Sequence, residues 1–305
     1  MVLSSAAISA AQLAAQANGA PCFVGKNVLR GSTAAWHIGD RFSGAQLDYQ
    51  DLAERQVAFA FNQFPNVGSR CLSGYAASVY LYAALSEAAD VDTIAINLLY
   101  AQQVPTATIY VADNAAMTGR ATVGSIAGVP SQSRGLLLAS TRYSGVTHVQ
   151  VKLDVTPSNV SPIVGEIYVG RRRQLARKFS TGFDDHPYGV EHADFKPRSH
   201  EITRYALAEG FSDFDGDYDL GGEHVAFDDE AEIRGFFEAS NYGANLICFV
   251  PNPATATAAF PHRYHLGYCD DSLVTPRKTG AHGREWSFRF REASPFYGHA
   301  AGYTR

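Results

Sequence analysis

Residues Glu285-Trp-Ser-Phe-Arg-Phe-Arg-Glu292 alternate large apolar with polar or charged side chains. A period of two belongs to an extended strand, so Trp286, Phe288 and Phe290 share one face while Glu285, Ser287, Arg289 and Arg291 share the other. One face is expected to be buried and the other to meet water or a partner. No nucleophile, phosphate loop or metal-ligand set accompanies the pattern. The sequence therefore points to a part used in building rather than to a reaction.

A chain of 305 residues has room for one large all-β domain or for two ordinary ones. Charge distribution favours two. Residues 1–170 hold 9 Lys and Arg with 10 Asp and Glu, which makes 19, whereas residues 171–305 hold 16 and 20, which makes 36. The density more than doubles across residue 170 and places a boundary there. A formal net charge of −5 gives no broad positive field, which argues against nucleic acid as the main partner. Cys22, Cys71, Cys248 and Cys269 are too few and too scattered for a disulfide framework and read as reduced thiols of a protein made in a cytoplasm. Met1 to Ala20 is Ala-rich and uncharged; Ala6, Ile8, Ala10 and Leu13 line a weak helical stripe. It lacks the positive start and strong apolar centre of a secretory leader and reads as an arm that packs on a neighbour or frays. No run has the length of a membrane span.

Between Val28 and Gly170 the apolar runs are short, β-branched or aromatic, and separated by Gly, Pro, Asn and Ser. Expected strands are Val57–Phe61, Ser78–Leu81, Thr93–Leu99, Thr108–Val111, Gly135–Ala139, Thr147–Leu153 and Gly165–Val169, the rhythm of a β-sandwich or jelly roll. Leu47–Glu54 or Ala83–Ala88 would supply at most a turn or two of helix. Val149, Val151 and Leu153 face one way and Gln150, Lys152 and Asp154 the other, as in a strand with one wet side. Thr93–Tyr100 is more uniformly apolar and reads as central. Past Gly170, Phe183–Arg198 reads as a connector, Ser199–Phe211 as a β segment, Asp213–Asp219 as an acidic turn, and Asp228–Ser240 as the best helix of the chain. Carboxylates crowd the first turn of that helix, Ile233, Phe236 and Phe237 form its apolar stripe, and Asn241 and Gly243 supply its stop. Ala244–Val250 and Tyr264–Cys269 read as strands, with loops at Pro251–Pro261 and Ser272–Gly283.

Asp213, Asp215, Asp217 and Asp219 imitate the opening of a calcium loop, but position six from Asp213 is Tyr218 and position twelve is His224, so the EF-hand pattern fails and a solvated turn is expected. His262, His265 and Cys269 lack a completing ligand pair, and no metal or other cofactor is expected. No Gly-x-Ser-x-Gly motif or positional logic among the ten histidines marks a triad, and no catalytic residue is assigned. Arg171-Arg-Arg-Gln-Leu-Ala-Arg-Lys178 is expected to form a salt-bridged face at a domain junction or subunit contact. Asn159-Val-Ser161 satisfies the glycosylation pattern but carries no weight without a secretory leader.

Residues 28–173, ending in Pro162-Ile-Val-Gly-Glu-Ile-Tyr-Val-Gly-Arg-Arg-Arg173, resemble the galactose-binding-like or discoidin-type β-sandwich. Residues 199–296, with the Asp228–Ser240 helix, Asn245-Leu-Ile-Cys-Phe-Val250 and Trp286-Ser-Phe-Arg-Phe-Arg-Glu-Ala-Ser-Pro295, resemble the tail-tube-like β-barrel-plus-helix domain of tailed-bacteriophage tail-tip proteins. The order of the two parts is the reverse of that in the usual distal tail protein. The resemblances imply a mainly β chain: an N-terminal arm (1–27), a jelly-roll or β-sandwich (28–173), a connector (174–198) and a C-terminal tail-tube-like β-barrel with one helix (199–305). They also imply a non-enzymatic virion part, assembled in a host cytoplasm. Its expected partners are other copies of itself in a ring and tail-tube, tape-measure and hub or fibre proteins. The alternative is a carbohydrate-binding module that stacks Trp36, Tyr75, Tyr80 and Tyr143 on a host glycan.

Overall fold

The computed structural model describes residues 2–38, 40, 60–61, 69–70, 78–100, 103–130, 134–155, 162–176, 183–195, 203–214, 229–241, 244–254, 264–269, 277–279, 283–285 and 288–292. In chain order the elements are β1 (Ser4–Ala7), α1 (Ala10–Ala17), β2 (Cys22–Val24), β3 (Thr33–Ile38), β4 (Ser69–Arg70), β5 (Ser78–Tyr100), β6 (Gln103–Ala112), β7 (Ala121–Pro130), β8 (Arg134–Asp154) and β9 (Ile163–Gly170). There follow β10 (Arg173–Gln174), β11 (Phe183–Phe195), β12 (Thr203–Phe214), α2 (Asp229–Ala239), β13 (Ile247–Val250), β14 (His265–Cys269), β15 (Arg277–Thr279), β16 (Gly283–Glu285) and β17 (Phe288–Glu292). Every strand pairing among the described residues is antiparallel.

Two long strands organise the first sheet. Residues 78–84 of β5 pair with 148–154 of β8, and residues 93–97 of β5 pair with 134–138 of the same β8, with register shifts between Ala84 and Thr93. Such shifts bend strands. The bend sorts the sheet into two layers: β3, β6 and β7 extend the first half, β9 and β4 the second. Val79, Leu81, Val149, Val151 and Ile109 from the front layer meet Ile94, Ile96, Val164, Ile167 and Val169 from the middle layer in one core. This is a β-sandwich; Val149, Val151 and Leu153 face its core as read, but Gln150, read as facing water, is 1 % exposed.

The second sheet runs β10-β2-β13-β14-β17-β12-β11 and is open among the described residues, where the tail-tip resemblance implied a closed barrel. Cys22, Val24, Cys248, Val250 and Leu266 on its inner side join Ala95 and Tyr168 of the middle layer in a second core. The middle layer is thus covered on both faces, which is why Thr93–Leu98 is more uniformly apolar and its Thr93 and Asn97 are buried with the rest. On the outer side, Phe23 stacks on Phe249 and meets Phe236 of α2, each at 4.7 Å between ring centroids. Asn241, at φ 52°, ends that helix in the left-handed region, and Asn245 N–H caps the Ser240 carbonyl at 3.0 Å.

Several local expectations are corrected. Cys22–Val24, read as part of the arm, is a strand between β10 and β13. Phe183–Phe195, read as connector, is β11. Ala83–Ala88 continues β5 and is not helical, and the expected loop Ser272–Gly283 contains one strand of a small hairpin, β15 with β16. Cys22 and Cys248 are buried free thiols. Of the expected strand, helical turn and loop, residues 57–59, 47–54 and 255–261 lie outside the described residues.

Candidate functional site

Alternation along β5, β6 and β8 turns a second set of side chains away from the sandwich core onto the front face. Tyr80 stands opposite Lys152, and Tyr82 opposite Gln150. Across the other edge of β8, Thr108 stands opposite Lys152 and Tyr110 opposite Gln150. Neighbours on one sheet face lie close enough to act together. Arg120, just before β7, ties this row to the residues that follow β3. Its guanidinium donates to both carboxylate oxygens of Asp40, at 3.1 and 2.7 Å, and to Gln150 Oε1 at 2.7 Å. Gln150 Nε2 in turn donates to Asp40 Oδ1 at 3.1 Å. The same guanidinium lies 4.5 Å over the Tyr110 ring, a cation–π placement.

Beside this array Lys152 pairs with Asp154 at 2.8 Å, and Ser78 donates to the same carboxylate at 2.6 Å. Tyr82 and His148 stack at 5.7 Å. The hydrogen bond to Asp40 raises the Arg120 pKa against the opposing effect of burial, and the bond to Asp154 raises that of Lys152. Burial raises the Tyr80 phenol and lowers the His148 imidazole from their ordinary values. Both charges are held on by their partners, so the array is a fixed set of donors and acceptors.

The aromatic platform expected from the sequence does not assemble. Trp36 is 1 % exposed, belongs to the sandwich core, and donates its indole N–H to Ser69 Oγ at 2.7 Å. Tyr80 is buried, Tyr143 packs against the core with its hydroxyl on the Thr122 carbonyl at 3.1 Å, and Tyr75 lies outside the described residues. Tyr82 and Tyr110 occupy the front face instead. Their alternation with Leu81 and Ile109 is a usable signal; nothing local marks Arg120. Of the other candidates, His265 is buried beside the Phe249 ring, while His262, Asp215, Asp217, Asp219 and Asn159–Ser161 lie outside the described residues. Among the described residues no three His, Cys, Asp or Glu side chains converge as for a metal, and no helix is long and apolar enough to cross a membrane. Arg171 and Arg173 do form the salt-bridged face expected of the basic run, with Asp90 at 3.2 Å and Glu232 at 3.4 Å.

A concavity of about 300 Å³ lies elsewhere, between the loop after β2 and the C-terminus of α2, lined by Lys26, Asn27, Arg30, Glu238, Asn245 and Leu246. Asn27 on its wall is fully engaged: its amide donates to Glu166 Oε1 and the Ile167 carbonyl at 2.9 and 2.8 Å, and its oxygen accepts from Leu29 and Val169 N–H. Arg30 donates to Asn245, and Lys26 pairs with Glu87.

Fold and site together define a mainly β protein of antiparallel sheets with a polar, aromatic sheet face. The sequence matches no protein-family model and no curated protein. Among solved structures it is similar to a chitosan-binding module from a chitosanase/glucanase of Paenibacillus sp. IK-5, at 16 % identity and a TM-score of 0.34 over 48 % of this chain and 98 % of that one. It is likewise similar to the module CBM32-1 of a family 31 glycoside hydrolase from Clostridium perfringens, at 11 % and 0.35 over 48 % and 99 %. A Ruminococcus gnavus GH29 fucosidase matches at 11 % and 0.33, over 48 % of this chain and 26 % of that enzyme. At these scores the likeness carries no inference about ligand or activity, and it lends the tail-tip resemblance no support.

Proposed function

We propose that this chain is a non-catalytic binding protein whose front sheet face takes a polyhydroxylated, carbohydrate-type ligand. The observation that carries the reading is the Asp40–Arg120–Gln150 network laid over the Tyr110 ring. Hydroxyl-rich ligands present paired donors and acceptors on an otherwise apolar ring. Recognising them needs planar polar groups held in fixed directions beside an aromatic surface. The network supplies such groups on rigid strands, with Lys152, Thr108 and Ser125 along the same face; Thr108 and Ser125 hydroxyls lie 3.1 Å apart. Fixed partners also mean that little side-chain freedom is lost on binding. The test is a glycan array probed with the full chain, followed by titration of any hit. Saturable binding that Tyr110→Ala abolishes without loss of fold supports the reading, and an empty array overturns it.

A second reading is a self-assembling subunit of a bacteriophage tail tip, which would place the chain in a virion. It is supported by β7, which stands last in the described order of its sheet and carries no charged residue over Ala121–Pro130. Isolated proteins usually guard such edges with charge. Light scattering and electron microscopy of the purified chain test it: closed rings favour this reading, and a monomer at high concentration removes it.

A further inference from the structure

We propose a second binding site, on the side of the molecule where β10 meets α2: Arg142, Arg171 and Arg173 form a receptor for an oxyanion, the chemistry shared by sulfate, phosphate and carboxylate groups. This goes beyond the sheet-face reading and does not depend on it. Consecutive residues alternate in direction after β9. Arg172 turns inward, 1 % exposed, with its Nη2 on the Ala139 carbonyl at 2.9 Å and its backbone N–H on Asp92 Oδ1 at 2.8 Å. Arg171 and Arg173 are left on the outer side, half-buried. Arg142 is brought up to them because its Nε donates to the other oxygen of the buried Asp92 carboxylate at 2.8 Å. Arg173 is seated on α2 through a notch: a Cβ at Gly235 would lie 2.7 Å from the Arg173 guanidinium carbon. A helix-interior glycine is destabilising against alanine, so the space it leaves has a structural use.

The charges do not balance. Three guanidiniums (Arg142, Arg171, Arg173) pair with three carboxylates (Asp92, Asp90, Glu232), and the inward Arg172 guanidinium, held by the Ala139 carbonyl, adds a fourth positive charge, so 4 − 3 leaves one in a protein of net −5. Of the outward pairs, Arg171–Asp90 at 3.2 Å and Arg173–Glu232 at 3.4 Å are single contacts, longer than the ~2.7–2.9 Å of a strong charge-assisted bond. Among the described residues the buried Arg171 Nε has no hydrogen-bond partner on the outer side, and on the inner side neither has Arg172 Nη1. Burial, then repulsion from Arg142 and Arg173, pulls the Arg171 pKa below its ordinary value. Glu232 and Asp90 oppose the shift, and guanidinium stays charged regardless, so an entering anion would add to the relief those two carboxylates give. Guanidinium forks match the paired oxygens of such a group.

Sulfate is the probe. The full chain is titrated with sodium sulfate against sodium chloride at equal ionic strength, following thermal unfolding and binding heat. A saturable rise in Tm beyond that with chloride is expected, and none beyond chloride overturns the site. Arg171→Gln and Gly235→Ala, the latter displacing Arg173, are each expected to weaken sulfate about tenfold or more. Sulfate binding unchanged by both variants also overturns it. A second arm compares sulfated and uronate oligosaccharides with neutral ones. Acidic saccharides that bind more tightly than free sulfate identify a saccharide-borne group, whereas equal or weaker binding identifies a free oxyanion. An empty neutral glycan array beside a positive sulfate titration would overturn the sheet-face reading and leave this one standing.

Discussion

The Tyr264 hydroxyl donates to the Ile96 carbonyl at 3.0 Å, joining the second sheet to the middle layer of the sandwich. Both residues are fully buried, so water offers no replacement for the bond. Tyr168 makes a matching link from the other side, with its hydroxyl 2.8 Å from the Val24 carbonyl and 2.9 Å from that of Leu246. The two phenols fix how one sheet lies on the other, and apolar contact alone would leave that orientation loose. Tyr264→Phe should lower stability by about 1 kcal/mol. Urea denaturation should show a lower midpoint at unchanged slope, and a wild-type midpoint would mean that the bond orders nothing.

Cys22 gives the fold a pH limit. Burial pushes its thiol from 9.0 up to about 12, with nearby Arg172 opposing the shift and Asp92 adding to it. The folded pKa is the higher one, so the folded state holds the proton more tightly. The contribution to stability is complete below pH 9 and is lost as pH rises toward 12. Across that window each pH unit should cost about 1.4 kcal/mol. Cys22→Ala should flatten the alkaline limb of a stability-versus-pH curve, and an identical limb in the variant would show that another group sets it.

Gly25 marks the closest approach of the strand side of the second sheet to α2. A Cβ there would lie 2.6 Å from the Phe236 carbonyl oxygen and 3.1 Å from Ser240 N, both backbone atoms that no rotamer change moves. Gly25→Ala should therefore displace the helix and disturb the Phe23–Phe236 contact at 4.7 Å. Faster amide exchange in 229–240 with an intact front sandwich is the expected result.

Much of the sandwich is legible in the sequence because its signals are local. Val149–Asp154 alternates since one face is core and the other carries a polar array, and Thr93–Leu98 is more uniformly apolar since both faces are covered, Thr93 and Asn97 being buried with the rest. What escapes depends on distant partners. Cys22–Val24 is three residues long, and its pairing with Cys248–Val250 reaches across more than two hundred positions, so no nearby pattern reports it. Ala83 and Ala84 have weak strand propensity, but pairing with Val149 and His148 holds them extended. Phe183–Phe195 contains Pro187 and Gly189, which read as a connector; β11 absorbs them in the register shift between His186 and Val190 and stands at the sheet's edge, where proline is tolerated. The candidate site is half legible: alternation turns Gln150 and Lys152 away from the core, but Gln150 is 1 % exposed because Arg120 and Asp40, distant in sequence, cover it, and Trp36 reads as a surface residue because an aromatic in a β-sandwich sequence looks alike in core and platform.

Trp36 and Tyr110 separate these two roles by experiment. Trp36→Ala removes a core side chain and leaves Ser69 Oγ without its indole donor, so it should cost about 3–5 kcal/mol and impair every property of the chain together. Tyr110→Ala removes a half-exposed ring whose loss opens no core cavity, so unfolding should shift by less than about 1 kcal/mol. Arg120 would keep its bonds to Asp40 and Gln150 but lose the ring beneath it. Ligand titration and thermal unfolding on both variants decide the matter. The expected pattern is stability lost in the first with binding failing only as the fold fails, and binding lost in the second with the melting curve nearly unmoved. The opposite pattern would place the ligand against Trp36 and remove the front face from consideration.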